Sequence, residues 1–230
     1  MSTVERQLRR IDNLKQRIAR PDDPFARCSI YTCHNPTTAH ARKGLNRLYC
    51  RKHIEFFGRH GSYVKSSYGA GELRPYRLRA MQWLRQHRET VDVDQAVESV
   101  LRLYRLGGRP VEAFRLAGMT PTERAKAVWA KLRKEKVDPL EVLAAWMSVD
   151  MRIRDDLQPD RHAEYRHVQV AKLIHRMAGG THKRWERERA DGSVEVTQLH
   201  RHPVSRGLVL RIVGAALAEA CRSLAPPPIH

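Results

Sequence analysis

Apolar residues along most of this chain recur at steps of three and four, the spacing of a helix with one buried face. Over residues 4–18 the stripe is Val4, Leu8, Ile11, Leu14 and Ile18, with Arg, Gln and Lys on the other faces. This is an a/d pattern only two heptads long, too short for an independent coiled coil. It predicts an amphipathic helix over 1–20 that packs on the body or pairs with a second copy as a homodimer. Pro21 and Pro24 end it, because proline removes a backbone donor and crowds the preceding turn.

Helical periodicity resumes beyond a Gly- and Ser-rich stretch over 62–72 that reads as a loop or linker. Helices are predicted at about 73–88 (Tyr76, Ala80, Trp83, Leu84) and 93–106 (Val93, Val97, Val100, Leu101, Tyr104), the second closed by Gly107-Gly108. A short helix follows at about 110–117. Thr120, Pro121 and Glu123 make a capping box with proline at the first helical position, and Asp138, Pro139 and Glu141 repeat the arrangement. The helix starting there, about 139–157, is apolar on several sides and is expected to be the central buried one. A further helix is predicted at about 160–178, and a last at about 205–223. Between them the period changes to two: residues 182–200 read as a β-hairpin turning at Ala190-Asp191-Gly192. The expected architecture is mainly α, a helical domain over 73–223 with one late β-hairpin, preceded by a small metal-sized module over 25–61 and followed by a tail over 224–230.

Charge narrows the partners. Lys and Arg number 43 against 25 Asp and Glu, a net +18 and a pI near 10.4, so the field favours polyanions. Arginine exceeds lysine about threefold, which suits forked phosphate contacts and stacking on bases. No apolar run reaches the ~20 residues of a membrane span, and the first residues lack a signal-peptide core. These features predict a cytoplasmic protein without a membrane partner. In a reducing compartment clustered cysteines are metal ligands more often than disulfides.

Three of the four cysteines lie between Arg27 and Gly61. Cys28 and Cys33 form a C-x4-C pair, and Cys50 and His53 a C-x2-H pair. Two close pairs joined by a loop suit a tetrahedral site, because each turn supplies two ligands at little entropic cost. Cys50 and His53, at i and i+3, share one face of a starting helix. His34, His40 and His60 are rival fourth ligands, and three buried cysteines with a satisfied histidine is the competing structural reading. Four protein ligands would make the site structural, with no open position for catalysis. Cys221, alone in an apolar helical run, reads as a small buried hydrophobe.

Residues 27–61 resemble the small Cys3His zinc motif of phage and mobile-element proteins, including HNH-type endonucleases. There the pattern is C-x4-C, a basic linker ending G-L-C, then x2-H and a basic helix ending R-x-G. Cys28, Cys33, Cys50, His53 and Arg59-His60-Gly61 match it, whereas Gly44-Leu45 lies earlier than expected, with NRLY inserted before Cys50. The resemblance implies zinc, and it favours DNA over RNA as the polyanion.

Three segments are candidate nucleic-acid surfaces. Arg42, Lys43, Arg47, Arg51, Lys52, Arg59 and Lys65 alternate with Tyr49, Phe57, Tyr63 and Tyr68, a mixture suited to phosphate contact and stacking. Arg124, Lys131 and Lys134 lie on the capped basic helix of a segment loosely similar to a helix-turn-helix, though a helical hairpin with a solvated basic face fits it too. Lys183, Arg184 and Arg187 lie on the hairpin, where a wing competes with a mixed, salt-bridged surface. The chain lacks a P-loop, a dinucleotide-binding fingerprint and a nucleophile elbow. Asp150, Asp155, Asp156, Asp160, His162 and Glu164 are the densest acidic group and could hold Mg²⁺, though the exposed face and caps of a helix–helix junction is the reading that fits them better. The reading therefore favours a binding protein over an enzyme, with assembly as the alternative role and nuclease activity third.

Overall fold

The computed structural model describes residues 5, 7–9, 11, 12, 15, 27–37, 39–40, 44–45, 48–179, 181–189, 192–201 and 207–224. The chain forms two compact units that meet between Glu55 and Phe56. In the first, the described residues from Glu5 to Lys15 are helical. Leu8 and Ile11 of the predicted stripe are exposed there, while Val4, Leu14 and Ile18 lie outside the described residues. Next come a bridge between Arg27 and Pro36 and a two-residue hairpin of β1 (Ala39–His40) and β2 (Gly44–Leu45). Helix α1 (Arg51–His60) begins in the first unit and ends in the second.

The second unit is built from α2 (Ala70–Gln86), α3 (Val91–Leu106), α4 (Pro121–Lys134), α5 (Pro139–Arg154), α6 (Ala163–Met177) and α7 (Gly207–Ala220), with the late hairpin between α6 and α7. Its strands are β3 (Thr181–Glu188) and β4 (Val194–Arg201), antiparallel with Trp185 opposite Thr197. The mainly helical architecture with one late hairpin is thus present. Helix α5 is the central one: Leu140, every residue from Val142 to Met151, and Ile153 are buried. It packs on α2, α3 and α6, while α7 packs on α4 and α6.

The caps explain where helices start. Thr120 Oγ1 accepts from Glu123 N–H, and Glu123 Oε2 accepts from Thr120 N–H, closing the predicted box. Asp138 accepts from Leu140 N–H, but Glu141 does not close a second box. Its carboxylate pairs instead with Arg77, 2.5 Å away on α2, because a tertiary cation outcompetes the local backbone donor. The short helix expected at 110–117 is a 3-10 helix over Ala113–Gly118.

The Gly- and Ser-rich segment after α1 docks on α6. Gly61 adopts φ +75°, and a Cβ there would lie 2.8 Å from the Glu164 carbonyl oxygen, so both conformation and space require glycine. Tyr165 Oη donates to the Ser66 carbonyl at 2.8 Å and Gln169 Nε2 to that of His60 at 2.9 Å. Tyr165, Gln169 and the Ser67-bonded Lys172 stand four and three residues apart on one face of α6. Tyr68 is buried edge-on against Tyr165.

Candidate metal centre and basic surfaces

The first unit brings four ligand-type residues together by short backbone devices. Cys28 N–H donates to the Asn35 carbonyl at 3.0 Å, and Cys33 N–H to that of Ile30 at 2.8 Å, folding 27–36 into a tight knuckle. Ser29 N–H donates to the Leu48 carbonyl at 2.7 Å, which returns the chain beside that knuckle just before Cys50. The Cys50 carbonyl accepts from Ile54 N–H at 3.1 Å, so Cys50 caps α1 and His53 follows in its first turn.

The result is one cluster in which the ligand atoms of Cys28, Cys33, Cys50 and His53 lie within 4.8 Å of one another. His53 Nδ1 is 3.2 Å from Cys28 Sγ and 3.3 Å from Cys50 Sγ, and Cys33 Sγ is 3.8 Å from Cys50 Sγ. Cys28 and Cys50 are buried, Cys33 and His53 half-buried. A sulfur–sulfur distance of 3.8 Å is far outside the ~2.05 Å of a disulfide. Burial pushes the Cys50 thiol up, but hydrogen bonds from His53 and the neighbouring cysteines outweigh it and bring it down to about 6. A site at a helix N-terminus favours thiolate as well. The group can hold a metal ion, and it is the one such group among the described residues. Of the rival ligands, His34 and His60 stand outside it; His60 Nδ1 accepts from Ser67 N–H at 3.0 Å instead.

The acidic group of the second unit is consumed internally. Asp150 pairs with Arg154 at 3.0 Å and Arg166 at 2.9 Å. Asp155 accepts from Tyr76, and Glu164 pairs with Arg211. Asp156 takes Lys65 at 2.5 Å and Tyr68 at 2.7 Å, and Asp160 takes His162 at 2.8 Å. Each of the five carboxylates therefore already holds a side-chain partner.

Many predicted nucleic-acid contacts are likewise committed. Lys65 is held by Asp156 and the Gln158 carbonyl. Arg124 donates to the Leu116 and Ala117 carbonyls at 2.8 Å each, capping the 3-10 helix while half-buried. Lys131 pairs with Glu135, Arg51 with Glu55 and Arg184 with Glu186. Arg59 also has a partner. Lys52, Lys134 and Arg187 are exposed, and Arg187 sits opposite Glu195 in the hairpin register. Arg42, Lys43, Arg47 and the side chain of Lys183 lie outside the described residues. Among the interleaved aromatics, Phe57 stacks on Tyr63 at 4.3 Å and also carries the Arg211 guanidinium 5.2 Å from its ring centre, and Tyr68 is buried.

Sequence reading missed a basic face on α2. Arg74, Arg77 and Arg85 line a groove of about 690 Å³ whose opposite wall includes Glu141. Its signal was present as charged residues at helical spacing, on the faces of 73–88 turned away from the core positions. No described helix is long and apolar enough to cross a membrane. No protein family, curated protein or solved structure compared with this chain matches it.

Proposed function

We propose that this chain is a nucleic-acid-binding accessory or regulatory protein, acting on DNA in preference to RNA, whose first unit is ordered by a structural zinc ion. The observation that carries the reading is the convergence of three cysteines and one histidine in a chain of net charge +18. Zinc is supported by the dimensions. With Zn–S near 2.3 Å and Zn–N near 2.05 Å, a tetrahedron has edges of about 3.8 Å between sulfurs and about 3.6 Å between sulfur and nitrogen. Three of the six separations here are 3.8, 3.2 and 3.3 Å and none exceeds 4.8 Å, so an ion enters with adjustments of about 1 Å or less. Cys28, Cys33, Cys50 and His53 Nδ1 would hold it. The metal supplies cross-linking; with four protein ligands it leaves no position for substrate.

DNA is favoured over RNA by the likeness to the mobile-element zinc motif. The charge supports a polyanion: after internal pairing, exposed cations such as Lys52, Arg74, Arg85 and Lys134 still face solvent. A second reading, an assembly protein, is supported by the exposed Leu8 and Ile11 on the N-terminal helix, which would pair with the same stripe of a second copy. Anisotropy of labelled single- and double-stranded DNA and RNA at several salt concentrations separates the two. Nucleic-acid binding predicts affinity that falls steeply as salt rises. Absence of binding at moderate salt, with dimerisation in sedimentation, would replace it by the assembly reading.

A further inference from the structure

Resting on the nucleic-acid reading, we infer that the groove along α2 binds a single strand of nucleic acid, with Arg74 and Arg85 taking phosphates at its two ends. Arg74, Arg77, Met81 and Arg85 follow one another at steps of three, four and four, so they lie along one helix face. At 1.5 Å rise per residue the first and last arginine stand ~16 Å apart. That length matches about five nucleotides at the ~3.4 Å per nucleotide of a stacked strand.

The charges in the groove are unevenly committed. Arg77 neutralises Glu141, the one acidic residue in the lining, at 2.5 Å. Arg74 and Arg85 are exposed and have no acidic partner among the described residues. The lining thus keeps an excess of two positive charges (three arginines less one glutamate), placed at its ends. An arginine fork matches a phosphate oxygen pair and sheds water more readily than lysine.

Between those ends the groove changes character. Leu78 is 64% exposed and Met81 half-buried, so apolar surface remains in water between two cations. The exposed amide of Gln82 stands beside it and can donate to and accept from a base edge. Phosphate contacts at the ends with an apolar strip between them suit an unpaired strand, whose splayed bases are free to lie against Leu78 and Met81. A duplex presents a convex backbone with its bases stacked inside, out of reach of Leu78 and Met81.

The test compares two double variants of equal net charge, Arg74→Gln/Arg85→Gln and the control Arg102→Gln/Arg109→Gln, whose exposed cations lie on α3 and just after it. Both are titrated against a labelled single-stranded oligonucleotide and a duplex over a salt series, after circular dichroism confirms that they melt like wild type. The groove variant is expected to bind the single strand at least tenfold more weakly than the control. Its log–log salt slope should be shallower by about 1.4, two contacts at ~0.7 each. Equal affinities for the two variants would overturn the groove while leaving nucleic-acid binding intact. Duplex binding as tight as single-strand binding and equally sensitive to the groove variant would overturn the single-strand assignment. No binding by wild type would instead remove the reading on which the groove rests.

Discussion

Gly214 lies in α7 where that helix crosses α6, and a Cβ added to it would sit 2.3 Å from the His167 carbonyl oxygen and 2.5 Å from its Cα. Both are backbone atoms, so no side chain can swing aside. Bringing that first contact out to 3.0 Å, about the closest a real Cβ approaches, already needs 0.7 Å of separation between two helices that carry buried Val168, Ala171, Leu210 and Val213. Overpacking of this kind costs about 1–3 kcal/mol. Against it stands the gain of about 1 kcal/mol from replacing glycine by alanine inside a helix. The clash wins at Gly214. At Gly58 in α1, where an added Cβ meets nothing within 4 Å, the propensity gain stands alone. Thermal melting followed by circular dichroism should therefore place Gly214→Ala below wild type and Gly58→Ala above it. For a chain of this size each kcal/mol is worth about 2–4 °C. A Gly214→Ala protein that melts at or above the wild-type temperature would refute the close crossing of α6 and α7.

Two further perturbations probe how the second unit is held. Burial alone would raise the Asp156 carboxyl, but hydrogen bonds from Lys65, Tyr68 and Gln158 N–H outweigh it and hold it at about 2. A depressed carboxyl contributes stability above its ordinary range near 4 and loses it as pH falls toward 2. The stability gap between wild type and Asp156→Asn should consequently shrink by about 2 kcal/mol between pH 5 and pH 2 in urea titrations, and a gap independent of pH would contradict the pairing. Arg211 joins Glu164 to the Phe57 and Gly58 carbonyls. Arg211→Met leaves all three without that donor and should cost about 2 kcal/mol in the same assay; an unchanged midpoint would show that these contacts contribute nothing net.

What the sequence displays best is what local physics decides. Helix starts at Thr120 and Asp138 were legible because a side-chain cap and an N1 proline lie within three residues of each other. The burial of α5 was legible because a helix apolar on several sides has nowhere else to go. The four clustered residues were legible because their spacing lets two tight turns present them, and the helix start at Cys50 sets two of them one turn apart. Long-range polar pairing was not legible. Glu141 carries the sequence mark of a capping box, yet Arg77, distant in sequence, takes it. Arg124 carries the mark of a groove contact, yet it caps the element before it. The acidic group at 150–164 carries the mark of a cation site, yet arginines, a lysine, a histidine and tyrosines from several elements occupy it. In each case a tertiary partner won over a local one, and no periodicity encodes which partner that is. The α2 groove escaped for the same reason, since it needs α5 to form its second wall.

Under the proposed function, Cys28, Cys33, Cys50 and His53 hold one structural zinc ion. Elemental analysis of protein purified without chelator, for wild type, Cys50→Ser and Cys221→Ser, tests it most directly. Cys221 is buried, burial raises its thiol, and it lies outside the cluster, so it serves as the internal control. One zinc per chain in wild type and Cys221→Ser, with loss in Cys50→Ser, is the predicted result. Wild-type protein without stoichiometric metal, or Cys50→Ser protein that keeps its zinc in full, would contradict it.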